Sequence, residues 1–288
     1  MTPDTRHLSH SQNFLISRRL VAELVGRAGI GVQDTVVEIG PGKGIITAEL
    51  AARAGKVIAV EADPRLVPAL QERFTDTPTV TIIATDFLRW PLPAAPYVVF
   101  ANIPFNLTAD IVRKLLDDAH PPHAAYLIMQ EAAARKYLAP SGGPATQAAM
   151  LLYPFFEVSL QAHISRRQFR PVPRVNAVLA GFVARPQPLI DSAQRQRYRD
   201  FVVYSFNRWQ PTLVQALTGV FPPARLANLA TRWHLAGKKP SEATPAQWLA
   251  LFAAFRELPV ALQRPVTGAE QRLAAQQSAL QKRHRTSA

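Results

Sequence analysis

Five short apolar runs, at residues 35–39, 57–60, 80–83, 97–100 and 125–129, punctuate the first half of the chain, with helical patterning at 45–54 and 64–74 between the first three. This alternation constrains the fold more than any other feature. Short β-branched runs joined by helices of about ten residues pair as parallel strands through right-handed crossovers. The expected result is an α/β, doubly wound, mostly parallel sheet, with ligands received at the carboxyl ends of its strands. Residues 158–164 and 177–183 read as two further strands, an antiparallel hairpin closing the sheet. Pro186 and Pro188 then break the pattern. Beyond them, helices are expected at 192–206, 211–218, 223–233 and 245–256. The expected domains are therefore 1–185, a smaller helical domain at 186–265, and a basic tail at 266–288, either a lone helix or disordered.

Composition excludes several classes. The 288 residues contain no cysteine, so a disulfide scaffold, a zinc ribbon and a thiol nucleophile are all ruled out. Hydrophobic residues make up 48% and charged residues 18%, enough for a sizeable core. No stretch of about 18 apolar residues marks a membrane span, and the first residues lack a signal-peptide core. A soluble cytoplasmic monomer without a metal is the simple expectation. The charge is more telling when divided. Residues 1–160 carry 14 basic and 15 acidic side chains, and residues 161–288 carry 19 and 5. The whole excess of +13 lies in the second part. Such asymmetry suits a polyanion, nucleic acid above all.

Chemistry gathers at the predicted strand ends. The turn Glu38-Ile39-Gly40-Pro41-Gly42-Lys43-Gly44 follows a strand and opens a helix. Glycines there let the backbone approach a ligand, and the helix start adds donors. It is not a phosphate-binding P-loop, because no Gly-Lys-Ser/Thr closes it. The second strand ends in Glu61-Ala62, where an acid is placed to hold ribose hydroxyls, and the third in Asp86-Phe87, suited to an adenine amine and its ring. These features fit the adenosine of NAD or of S-adenosylmethionine equally.

The fourth strand runs into Asn102-Ile103-Pro104-Phe105. An exocyclic adenine amine is a poor nucleophile, because its lone pair is delocalised into the ring. Asn102 Oδ1 and a nearby main-chain carbonyl, accepting both amine hydrogens, fix that nitrogen and favour the tetrahedral geometry that attack on a methyl group needs. Pro104 stiffens the turn, and Phe105 offers a face to a flipped-out base. Positioning and electrostatics do most of the work, without a tuned general base.

Together these segments resemble the rRNA adenine N6-methyltransferase (dimethyladenosine transferase) family, and most of all its Erm-type branch. The matching residues are Gln12-Asn13-Phe14-Leu15, the turn at 38–44, Glu61, Asp86, Asn102-Ile103-Pro104-Phe105, Met129-Gln130-Glu131 and the segment 169–176, Phe-Arg-Pro-Val-Pro-Arg-Val-Asn. The resemblance implies a Rossmann-like, class I S-adenosylmethionine-dependent methyltransferase fold. It implies that Gln12, Asn13, Leu15, Gly40, Gly42, Glu61, Ala62, Asp86, Phe87 and Asn102 surround S-adenosylmethionine, and that Phe105 and Phe169 hold the target adenine. Ile103 and Phe105 resemble the branch that methylates one adenine of 23S rRNA and confers macrolide-lincosamide-streptogramin B resistance. The housekeeping 16S rRNA branch more often has Leu and Tyr at these places. His10-Ser11 departs from the pattern, which usually has one intervening residue.

Arg166, Arg167, Arg170 and Arg174 flank Phe169, and guanidinium groups beside an aromatic suit an exposed RNA loop. Lys238 and Lys239 are expected to add backbone contacts, as are Lys282, Arg283 and Arg285 in the tail. The four tryptophans, Trp90, Trp209, Trp233 and Trp248, are all expected to serve packing. The competing functions are the 16S enzyme and a non-catalytic nucleic-acid-binding factor on the same fold; a dehydrogenase would need a proton donor that does not stand out.

Overall fold

The computed structural model describes residues 13–139 and 144–286. The elements run β1 (Phe14–Leu15), α1 (Arg18–Arg27), β2 (Thr35–Ile39), α2 (Ile45–Ala51), β3 (Lys56–Glu61), α3 (Val67–Arg73), β4 (Val80–Ala84), β5 (Val98–Asn102), α4 (Thr108–Asp117), β6 (Ala124–Gln130), α5 (Glu131–Arg135), α6 (Gln147–Leu152), β7 (Phe156–Ile164), β8 (Phe169–Arg170) and β9 (Ala177–Ala184). Six helices follow: α7 (Arg195–Phe206), α8 (Leu213–Ala216), α9 (Pro223–Arg232), α10 (Pro245–Arg256), α11 (Val260–Gln263) and α12 (Ala269–Thr286).

The main sheet has the order β4-β3-β2-β5-β6-β9-β7. Its first five strands are parallel, and β9 and β7 close it antiparallel. This is the expected doubly wound, Rossmann-like sheet. Strands β2 and β5 are buried along nearly their whole length, as β-branched central strands covered on both faces should be. Leu24 of α1, Leu50 of α2, Val36, Phe100, Ile128 and Leu179 belong to one core. Ser17 starts α1 by accepting the Leu20 N–H at 3.2 Å. The strand order reverses between β2 and β5, which opens a crevice at their carboxyl ends. A separate two-stranded ribbon pairs β1 with β8, Leu15 opposite Phe169.

The chain divides into two compact units. One comprises residues 1–135 and 156–184, and the other residues 136–155 and 185–288. The segment 136–155, expected within the first domain, thus packs with the helical residues: the Tyr198 hydroxyl donates to Met150 O at 2.8 Å, and Ala145 N–H to Ser241 O at 2.6 Å. Within the helical unit, Tyr198, Phe201, Trp248, Phe252 and Phe255 form an aromatic core. Thr244 and Gln247 make a reciprocal capping box at the start of α10. The tail is helical as α12; the side chains of Lys282, Arg283 and Arg285 lie outside the described residues. Asp200 of α7 caps this helix, accepting the N–H groups of Gly268 at 2.8 Å and Glu270 at 3.0 Å, while Arg199 pairs with Glu270 at 2.5 Å. Among the described residues no helix is long and apolar enough to cross a membrane.

Candidate active site

At the carboxyl ends of β2 and β5, a pocket is lined by Asn13, Phe14, Gly40, Asn102, Ile103, Pro104 and Phe105. Its centre is Asn102, the last residue of β5. The Asn102 side-chain Nδ2 donates to Asn13 O at 2.7 Å. That bond fixes the amide plane and directs Oδ1 to the opposite side, as the acceptor of the same group. Ile103 is buried and its N–H donates to Ile128 O at 3.2 Å, so the turn is tied to β6 while its side chain packs inward. Phe105 is half-buried and begins a short 3-10 turn, and Thr108 caps this turn by donating to Phe105 O at 3.0 Å.

The glycine turn after β2 is shaped for close approach. Gly40 and Gly42 have φ of 66° and 60°, the left-handed region that favours glycine. A Cβ on Gly42 would meet Phe14 Cε1 at 2.5 Å, so the Phe14 ring rests where a side chain would otherwise stand. Glu61, at the end of β3, is buried and holds the same turn. Its Oε2 accepts the Gly42 N–H at 3.0 Å and its Oε1 the Asp63 N–H at 2.8 Å. Each carboxylate oxygen still has a second lone pair. Ala62 follows, half-buried.

Asp86 is exposed just past β4, where its Oδ1 accepts the Leu88 N–H at 2.9 Å. Phe87 is buried against Trp90, with Lys114 Nζ 5.2 Å above its ring. Gln12 lies outside the described residues. Leu15 is buried in the core rather than lining the pocket. Phe169 differs most from expectation. Pairing of β8 with β1 turns its ring into the core, where it is fully buried and offers no face to a base. The aromatic rings that line the pocket are Phe14 and Phe105. Phe14 lies within the 12–15 motif, yet only its neighbours there carry an expected role; its approach to the glycine turn brings together segments some 28 residues apart, and no local sequence pattern announces it.

Beneath the turn, Glu38 is buried with neither carboxyl oxygen in hydrogen-bonding geometry, and the Thr47 hydroxyl beside it is equally unpartnered. Burial pushes the Glu38 carboxyl up from the usual 4.5 to about 8; Thr47 opposes the shift and the charge of Glu61 adds to it.

A second, wider hollow joins the end of β6 to the loop 165–176. Arg166 and Arg174 line it together with Gln130, Glu131, Arg135 and Asn176. Asn176 Oδ1 accepts the Arg166 N–H at 3.0 Å, and Arg166 Nη1 reaches Arg174 O at 3.4 Å. Arg135, which the sequence reading omits, pairs with Glu131 at 2.5 Å and holds that carboxyl below its usual range. Its signal was the i,i+4 spacing on α5. Arg167 and Arg170 do not line the hollow, and both are exposed. Lys238 is half-buried, with Nζ 3.4 Å from Gln247 Oε1, and Lys239 is exposed on the same turn. Among the described residues no three His, Asp or Glu side chains form a metal-binding group.

The family model of ribosomal RNA adenine dimethylases matches residues 4–257. The chain belongs to that family. It is a methyltransferase of the ribosomal RNA adenine dimethylase type, on the class I fold. Similar proteins include an rRNA methyltransferase of Streptomyces thermotolerans, 35% identical over 86% of this chain and 83% of that relative. Ribosomal RNA small subunit methyltransferase A of Geobacter sulfurreducens is 33% identical over 72% of this chain and 78% of its own length. The crystal structure of the 23S rRNA methyltransferase ErmE superposes with a TM-score of 0.76 at 29% identity, covering 85% of this chain and 100% of that one.

Proposed function

We propose that this dimethylase-family chain transfers a methyl group from S-adenosylmethionine to the N6 amine of one adenine in 23S rRNA, and so confers macrolide-lincosamide-streptogramin B resistance. The observation that carries this reading is the Asn102 amide, held by Asn13 O at 2.7 Å in a pocket faced by Phe105. The crevice suits an adenosine-bearing cofactor: Gly40 leaves open space at the pocket, with no atom within 4 Å of where a Cβ would stand, Gly42 lets the Phe14 ring close against the turn, and Glu61 keeps lone pairs for ribose hydroxyls. Asn13, Gly40, Gly42, Glu61, Ala62, Asp86, Phe87 and Asn102 would hold that cofactor, with Leu15 supporting from the core. When bound, it supplies an electrophilic methyl on a sulfonium.

The chain's own residues do the rest. Asn102 Oδ1 and a main-chain carbonyl of the 102–105 turn accept the two amine hydrogens, which localises the nitrogen lone pair for attack. Phe105 stacks on the flipped base and excludes water from it. The proton released on transfer passes to solvent, so no buried base is required. Arg166, Arg167, Arg170 and Arg174 contact the RNA backbone around the target.

Methylation of 16S rRNA is the second reading, favoured by the 33% identity to the small subunit methyltransferase of Geobacter sulfurreducens. The deciding experiment offers labelled methyl donor with protein-free 23S rRNA and, separately, with small subunits lacking the 16S modification. Label at one adenine of 23S rRNA alone supports the first reading. Label only on the small subunit establishes the second, and cofactor binding without transfer to either leaves a non-catalytic RNA-binding factor.

A further inference from the structure

An indole is the largest apolar surface a side chain can offer, and it is rarely left wholly in water. Trp248 is fully enclosed, but Trp209 is 101% exposed. The expectation that all four tryptophans serve packing fails at this one. Trp209 stands in the link between α7 and α8, within the helical unit.

That link is anchored at both ends. The Asn207 side-chain amide donates to Gln147 Oε1 at 2.7 Å and to Val203 O at 2.8 Å. At the other end the Leu213 N–H donates to Lys238 O at 2.8 Å, which brings the Lys238–Lys239 turn alongside. The Arg208 guanidinium lies 5.2 Å above the Tyr204 ring. The exposed ring of Trp209 therefore belongs to a link tied at both ends, with Arg208 beside it in the chain and the Lys238–Lys239 turn bonded to the end of the link at Leu213. Glu242, the acid of this neighbourhood, is occupied by the Lys239 N–H at 2.8 Å. The helical unit as a whole carries 16 basic and 5 acidic residues, a net +11.

A flat apolar ring and a rim of cations are both used at once by a single-stranded nucleic acid, whose bases stack and whose phosphates pair. An acidic protein surface would use the cations but not a lone exposed ring. We propose that Trp209 is a stacking platform for an unpaired nucleotide of the RNA substrate, with Arg208 and Lys239 taking its flanking phosphates. This rests on the reading of RNA as substrate and adds a contact to a nucleotide other than the methylated adenine.

The test compares full-length wild type with Trp209→Ala and Trp209→Phe. Removal of one stack raises the KM for rRNA about tenfold in Trp209→Ala, holds kcat at saturating RNA, and is largely restored in Trp209→Phe. Single-stranded oligouridylate should quench the tryptophan fluorescence of wild type, and that quenching should vanish in Trp209→Phe; no quenching of wild type also overturns the proposal. A wild-type KM in Trp209→Ala, or undiminished quenching in Trp209→Phe, overturns the proposal while leaving the substrate reading intact. Trp209-dependent quenching in a protein that methylates neither rRNA supports the platform and sinks the substrate reading instead.

Discussion

Asn102 is committed by its Nδ2 to Asn13 O, so what it can give the proposed reaction is one remaining acceptor atom. Asn102→Ala should lower methyl transfer by at least about a hundredfold, as for removal of one oriented polar group, and weaken S-adenosylmethionine binding far less by calorimetry, since the other residues proposed to hold the cofactor remain. Equal weakening of both would assign Asn102 to binding. Glu38 is different because it stays protonated in the fold to about pH 8, whereas in the unfolded chain it ionises near its ordinary 4.5. Between those values the native state holds the extra proton, so this group lowers stability as pH rises and has no further effect above 8. Glu38→Gln should therefore gain on wild type from pH 5 to 8, by at most about 1.4 kcal/mol per pH unit. Urea midpoints that run parallel at pH 5, 7 and 8.5 would show that Glu38 is not the source.

At the scale of elements, strands and turns were legible and partnerships less so. The apolar runs at 35–39, 57–60, 80–83 and 125–129 lie within β2, β3, β4 and β6; β2, β3 and β6 are nearly continuously apolar because they are buried parallel strands, whereas β4 is an edge strand and only partly buried. The fourth strand extends two residues beyond its apolar run to include Asn102, since ladder pairing with Ile128 continues past the point where hydrophobicity stops. Pairing of β1 with β8 was illegible, as two-residue strands carry no period, and with it went the burial of Phe169. The approach of Phe14 to Gly42 belongs to the same gap. Gly42→Ala combines a left-handed φ with a ring 2.5 Å away, and should cost about 1–3 kcal/mol of stability and weaken cofactor binding. An unchanged melting temperature and an unchanged calorimetric Kd would mean that β1 yields freely.

For the whole molecule, charge separates less sharply by structural unit than by position along the chain, because Arg166, Arg167, Arg170 and Arg174 belong to the sheet-bearing unit. The sheet-bearing unit has 17 basic and 15 acidic residues, a net +2, against +11 for its companion. Reversing Arg166 and Arg167 to Glu removes cations from the nearly neutral unit, so RNA affinity should fall and its log–log salt slope should flatten by about 0.7 for each phosphate no longer neutralised. An unaltered slope in a filter-binding titration at several salt concentrations would move the RNA surface elsewhere. The chain passes between the two units at 135–136, 155–156 and 184–185. The helical unit is therefore discontinuous in sequence, with α6 inserted between two strands of the other unit. Module exchange between relatives has to respect this: a chimera joined at a single point near residue 185 would separate Tyr198 from the Met150 carbonyl that its hydroxyl meets, so heredity must carry the helical unit as two pieces or not at all.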